Sequence, residues 1–374
     1  MSTDHQPIDQ QIITAMCLAF EIPPERELRQ RIGTVQSGKD FKKGLGFDIS
    51  RETRSFYMSG YDSLPQRESR LVCVTSATSY LGVSIVNILI SRGYSVRALV
   101  DNAEELEKLA ENIDECNNKS MDLTGIVMDV MNLESVLSAI DGSVAVFHTS
   151  SFLDTAGVSG YTKHMARIET AATENLVEAC ARVSSVRRCV LTSSLLACIW
   201  QPDVFNVIDE NCWSDESFCR EKQLWFALSK TMMEKAAWKI ATGRDVELVT
   251  ICPALITGVD FHKKIPSSSI AYLKGGSEMY RNGVLAGVDV EKVAGTHVNV
   301  YETCDTGGRY ICYDRIMDRK EEIAKLERLI GIHPNQITGD HIQVIKHSKL
   351  NDGKLFRLMT RYSGCSPFQL FQYL

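Results

Sequence analysis

The sequence predicts an α/β fold, a doubly wound parallel sheet with a smaller C-terminal region. Three observations carry that prediction. Short apolar runs recur from Leu71 onward, each followed by a stretch with helical periodicity. The first run leads through a turn of small residues, Thr75 to Gly82, straight into such a stretch. Strands and helices alternate at a spacing too long for hairpins, which requires parallel strands with helices on both faces.

Residues 1–69 carry few strand signals and many polar residues, with Pro23-Pro24, Gly44-Leu45-Gly46 and Ser59-Gly60, and read as a mobile or loosely packed extension. A short helix from Asp9 to Phe20 is expected inside it, because Ile12, Ile13, Met16 and Phe20 share a face. The texture changes at Arg70. Leu71-Val72-Cys73-Val74-Thr75 suits a buried parallel strand, and a helix follows from about Tyr80 to Ser91, ended by Gly93. Ser95 to Val100 is the second strand, Ala103 to Asn112 the second helix and Gly125 to Met128 the third strand. Leu133 to Ile140 is helical, and Val144 to His148 is the fourth strand. A long helix from about Gly160 to Val183 precedes the fifth strand, Arg188 to Thr192. The last pair is a helix from about Trp225 to Thr242 and a strand from Val246 to Ile251. Residues 70–255 are thus the expected Rossmann-like nucleotide-binding domain, and 256–374 a smaller substrate-side region and tail.

Composition narrows the function. With 44% hydrophobic and 24% charged residues, the 374-residue chain is an ordinary globular protein able to bury a substantial core. A net charge of -6 argues against nucleic acid as the main partner. No apolar run approaches the roughly 18–20 residues of a membrane span, and Met1 to His5 lack a basic leader. No membrane association is expected, and the cytoplasm is the expected location. Twelve cysteines without a CxxC pair read as reduced, mostly buried thiols. His297 and the other histidines show no metal spacing, and His148 reads as a satisfied residue at a strand end.

Thr75-Ser76-Ala77-Thr78-Ser79-Tyr80-Leu81-Gly82 falls where a glycine-rich loop cradles a pyrophosphate. It resembles the turn of the extended short-chain dehydrogenases, whose glycines match Ser76, Ser79 and Gly82; only Gly82 remains. A Cβ and hydroxyl at Ser76 and Ser79 crowd the phosphates, yet both hydroxyls can hydrogen-bond them at a helix N-terminus. The other reading is a plain strand-turn-helix that binds nothing. Asp101, about twenty residues past the turn, suits the ribose hydroxyls of NAD and repels the extra phosphate of NADP; Lys108 softens that repulsion. Asp101 reads equally well as a solvated loop carboxylate or the N-cap of the helix from Ala103.

The stretch from Ser193 to Trp238 is more specific. Asp209-Glu210-Asn211-Cys212-Trp213-Ser214-Asp215 and Ser229-Lys230-Thr231-Met232-Met233-Glu234-Lys235-Ala236-Ala237-Trp238 resemble the plant cinnamoyl-CoA reductase and dihydroflavonol reductase family. Val146 to Ser151, Thr250-Ile251-Cys252-Pro253 and Gly308-Arg309-Tyr310-Ile311 resemble its other landmarks, so the likeness spans Leu71 to Ile332. The resemblance implies NADP or NAD as cofactor and assigns roles by position. Ser194 matches the serine that hydrogen-bonds the substrate carbonyl, and Lys230 the lysine that binds the nicotinamide ribose and lowers the pKa of the catalytic tyrosine. Phe226 stands at that tyrosine's place. Asp129 matches an acid near the adenine, Lys108 a base near the 2′-phosphate, and Asp101 replaces an arginine that reads that phosphate. The family's asparagine-tryptophan-tyrosine-cysteine-tyrosine-glycine-lysine run is absent, which puts a CoA thioester in doubt.

A phenyl ring cannot donate a proton, and general acid catalysis is worth about 10²–10⁴ in rate. No tyrosine lies between Tyr161 and Tyr272, so proton delivery falls to Lys230 alone or to Ser194 with water. Two functions follow. The first is an NAD(P)-dependent oxidoreductase acting on a small, aromatic carbonyl or alcohol through a degenerate centre. The second is an inactive descendant that binds a nucleotide or a protein partner.

Overall fold

The structure is a computed structural model, and it describes residues 70–112, 123–149, 161–203, 206–259, 261, 267–339 and 348–362. The extension 1–69, with the helix expected from Asp9 to Phe20, lies outside the described residues. The first half alternates strictly: β1 (Leu71–Thr75), α1 (Tyr80–Ser91), β2 (Ser95–Val100), α2 (Ala103–Asn112), β3 (Leu123–Val127), α3 (Leu133–Ile140), β4 (Ala145–His148), α4 (Lys163–Arg182) and β5 (Arg188–Thr192). A 3-10 turn (Leu195–Ala197), β6 (Val207–Ile208), α5 (Glu216–Glu221), α6 (Trp225–Ala241), β7 (Glu247–Pro253) and β8 (Leu255–Thr257) follow. Then come α7 (Ser267–Tyr272), a 3-10 turn (Leu273–Gly275), α8 (Gly276–Arg281), β9 (Ala286–Asp289) and α9 (Val290–Glu302). The chain continues through β10 (Gly308–Cys312), β11 (Arg315–Ile316), α10 (Lys320–Ile330), β12 (Lys349–Leu350) and α11 (Gly353–Tyr362).

Seven strands form one parallel sheet in the order β10-β7-β5-β4-β1-β2-β3. This is the doubly wound arrangement expected from the sequence. The chain reverses its direction of travel between β1 and β4, where a crevice opens beyond the strand ends. Alternation along each strand builds two cores. Val72, Val74 and Phe147 face one layer with α1 and α9; Cys73, Val146 and Leu191 face the other with α3 and α4.

The expected elements differ from the observed ones mainly at their ends. The third strand starts at Leu123 and ends at Val127, two residues earlier than the apolar run suggested at its start. Its ladder still reaches Met128, whose amide donates to the Val100 carbonyl at 2.9 Å. Past Pro253 the chain is more ordered than its irregular pattern implied. β8 and β9 pair in parallel within a second sheet, and β10 adds the seventh strand of the main one.

Candidate functional site

A cleft of about 430 Å³ lies at the strand ends next to the switch point. Its lining includes Thr75, Ser76, Ser79, Tyr80 and Leu81 from the first turn, Asp101 after β2, Ser194 after β5, and Phe226 and Lys230 from α6. Gly82, Lys108 and Asp129 are not part of this lining. Lys108 and Asp129 are exposed, and the Asp129 carboxylate accepts the Met131 amide at 2.9 Å.

The turn keeps a tight geometry without its glycines. Ser76 takes φ 46°, the left-handed region that glycine favours, and its carbonyl accepts the Ser79 amide at 2.9 Å. Ser79 caps α1, its hydroxyl accepting the Gly82 amide at 3.0 Å. A Cβ on Gly82 would sit 2.3 Å from the Ser76 carbonyl oxygen, so this glycine is required by close approach. Tyr80 and Leu81 line the cleft, and the N-terminus of a 12-residue helix therefore opens on it. That end favours an anion, and the geometry fits a dinucleotide's pyrophosphate.

Three carboxylates gather at the far end of the turn. Asp101 and Glu105 line the cleft, and Asp129 is near enough to act on Asp101. Partial burial, then Glu105, then Asp129 raise the Asp101 carboxyl above the ordinary carboxylate value. Asp101 is not the N-cap of α2. The Asn102 side chain takes that place, accepting the Glu105 amide at 3.1 Å, while Glu105 accepts the Asp101 amide at 3.2 Å.

Phe226, Lys230 and Glu234 are one turn apart on α6 and all point inward. Lys230 is buried, and its ammonium lies 2.5 Å from the Glu169 carboxylate on α4. The second oxygen of Glu169 accepts the hydroxyls of Tyr161 and Ser229, the latter at 2.9 Å. The Phe226 ring meets Tyr161 edge-on at 5.1 Å, with the Lys230 ammonium 5.4 Å from the Phe226 centroid. Ser194 ends the β5 segment, its hydroxyl accepting the Leu196 amide at 3.2 Å, which leaves its own proton to donate.

Behind this wall the buried Glu234 accepts Ser193 Oγ at 2.6 Å, Thr250 Oγ1 at 2.7 Å and Arg309 Nε at 2.8 Å. Arg309 lies 3.6 Å over the Trp213 ring, so the landmark residues Trp213, Glu234 and Arg309 form one assembly. His297 Nδ1 donates to the Val293 carbonyl at 2.8 Å, so its Nε2 accepts the cleft-lining Thr192 hydroxyl at 2.8 Å. Burial lowers its pKa to about 4. His148 contacts the Thr75 hydroxyl at 2.9 Å and Thr173 at 3.5 Å, and burial and the Lys230 charge lower its pKa to about 3. No metal-binding cluster occurs among the described residues.

Sequence reasoning missed Glu169 and Glu105, and it treated Tyr161 and Tyr272 only as sequence landmarks. Glu169 did leave a signal. It falls on the apolar stripe of α4, between Met165-Ala166 and Ala172-Thr173, where an unpaired carboxylate is costly.

The pattern of the 3-beta hydroxysteroid dehydrogenase/isomerase family matches residues 73–301. Cinnamoyl-CoA reductase 1 of Petunia hybrida is 32% identical over 295 residues, covering 76% of this chain and 86% of that protein. Among solved structures, vestitone reductase from alfalfa (Medicago sativa L.) is similar with a TM-score of 0.58 at 27% identity, over 77% of this chain and 91% of that one. Yeast methylglyoxal/isovaleraldehyde reductase Gre2 complexed with NADPH shares the fold, with a TM-score of 0.60 at 20% identity over 78% and 93% of the two chains.

Proposed function

The chain belongs to the 3-beta hydroxysteroid dehydrogenase/isomerase family, with cinnamoyl-CoA reductases among its relatives, and from that premise we propose an NAD(P)-dependent reductase of small aromatic carbonyls. One observation supports this reading above the others: a single cleft is lined by the first turn, Asp101, Ser194 and Lys230. The N-terminus of α1 takes the pyrophosphate, and Ser79 holds the turn that presents it. The nucleotide supplies hydride to the carbonyl carbon. Ser194 donates a hydrogen bond to the carbonyl oxygen, and Lys230, fixed by Glu169, lies toward the nicotinamide end. Residues 70–255 hold the nucleotide, and the wall of Pro253 to Ile256 with Ser268, Ser269 and Tyr272 faces the substrate.

Asp101, Glu105 and Asp129 favour NADH over NADPH, since a 2′-phosphate beside three carboxylates is repelled. Titration with both nucleotides, followed by nucleotide fluorescence, tests the reading. NADH is expected to bind at least tenfold tighter, and Asp101→Asn is expected to narrow that gap. Absence of binding of either nucleotide at millimolar concentration rules the reductase out.

A second reading is an inactive protein that keeps the nucleotide site or binds a protein partner. It is favoured by the Lys230–Glu169 ion pair and by Phe226, whose ring fills a catalytic position without an oxygen. Nucleotide binding with no reduction of any aromatic aldehyde or CoA thioester is the result that selects it.

A further inference from the structure

Ser268 and Ser269 interrupt an otherwise apolar stretch of the cleft, where Pro253, Leu255, Ile256 and Tyr272 are their fellow lining residues. Both serines are on α7, which packs against β8 and against α6, the helix that bears Phe226 and Lys230. That packing sets them beside the wall that carries the two residues. Other serines near this wall have committed their protons: Ser193 donates to Glu234 at 2.6 Å, and Ser229 to Glu169 at 2.9 Å.

Ser269 is different. Its side chain is 5% exposed, and its hydroxyl has no hydrogen-bond partner among the described residues. The oxygen is not enclosed as the Tyr272 oxygen is, and the residue lines the cleft, so the hydroxyl opens on that space. Ligand clefts are mostly apolar, with a few placed polar groups that fix orientation, and a nearly buried hydroxyl without a protein partner calls for a reason.

Charge narrows the ligand. The charged residues of the lining are Asp101, Glu105 and Lys230, and Glu169 already holds the Lys230 ammonium. A carboxylate or phosphate carried into this cleft by the substrate would meet no further cation among the lining residues, and an unpaired buried anion is costly. The polar atom that suits Ser269 is therefore an uncharged one.

We propose that Ser269 is a specificity-determining residue of this site, hydrogen-bonding an uncharged hydroxyl on the ring of an aromatic carbonyl substrate. The assignment rests on the reductase reading and deepens it. The ring lies against the apolar stretch, the carbonyl faces Ser194, and Ser269 Oγ donates to the ring hydroxyl or accepts from it.

Ser269→Ala tests this, and the variant is expected to fold because alanine is the better helix former. The purified full chain is assayed with NADH on cinnamaldehyde and on its para- and meta-hydroxy derivatives. Each aldehyde has the same intrinsic reactivity with either protein, so the change in preference between the two proteins isolates the contact. For at least one hydroxylated aldehyde, the kcat/KM ratio to cinnamaldehyde is expected to fall about tenfold in Ser269→Ala, mostly through KM, as for one lost hydrogen bond. Cinnamaldehyde turnover and nucleotide Kd are expected to stay within about twofold, since neither uses that hydroxyl. A purely structural role would lower all three turnovers alike and leave both ratios unchanged. Unchanged ratios overturn the assignment, while the reductase reading stands. If the wild type reduces none of the three, the reductase reading fails. The Kd values of the para- and meta-hydroxycinnamamides against cinnamamide then decide the assignment alone: tighter binding that Ser269→Ala abolishes upholds it, and equal binding overturns it.

Discussion

Glu169 is the residue on which the reactive end of the cleft depends. Its carboxylate is 1% exposed and holds Lys230, Ser229 and Tyr161 at once. Removing one partner of a buried ion pair leaves the other charge unpaired, at a cost of about 3–5 kcal/mol. Glu169→Ala is therefore expected to lower unfolding free energy by that amount in urea denaturation, against about 1 kcal/mol for Ser229→Ala. A loss below about 1 kcal/mol for Glu169→Ala would mean that Lys230 finds water or another partner. Phe226 belongs to the same picture. Its ring packs against Tyr161 and lies under the Lys230 ammonium, so it serves as wall and cation platform where the family's tyrosine is a donor.

At the scale of the element, the first turn shows how two serines occupy glycine positions. Ser76 adopts a left-handed backbone, and Ser79 supplies the cap of α1. The two substitutions therefore have opposite expected effects. Ser76→Gly relieves the backbone and is expected to stabilise the chain by roughly 0.5–1 kcal/mol and tighten nucleotide binding. Ser79→Ala removes the cap and is expected to cost about 1 kcal/mol, whereas Ser79→Gly costs only a few tenths. Thermal melts with and without nucleotide separate these outcomes. Equal destabilisation by Ser76→Gly and Ser79→Ala would contradict the roles assigned from the turn's geometry. The helix that follows is fixed by Gly82, where any side chain meets the Ser76 backbone.

For the molecule as a whole, the two buried histidines among the described residues make stability sensitive to acid. His148 and His297 have folded pKa values near 3 and 4, below the roughly 6.5 of an unfolded chain. As pH falls through 6.5 the unfolded state takes up both protons and the folded state neither, so stability is lost between about pH 6.5 and 4. At pH 5 each histidine contributes a loss of ~2 kcal/mol relative to pH 7. Denaturation at the two pH values checks this, and His297→Gln is expected to shrink the difference by about half. A pH-independent midpoint would mean that neither imidazole is buried neutral. The sheet was legible in the sequence because strands covered on both faces are continuous apolar runs, as in Leu71–Thr75 and Arg188–Thr192. Lys230 and Phe226 could be located because they fall four apart in a recognisable run. Glu169 left a local signal on the apolar stripe of α4, but its pairing left none, since it meets Lys230 across 61 positions and no local pattern encodes such a pair. Arg309, on the outermost strand β10, is bolted to Glu234 on the helix that bears Phe226 and Lys230. Sliding that helix along its axis would tear a guanidinium from its carboxylate, so the wall that carries Phe226 and Lys230 is anchored to the far edge of the sheet.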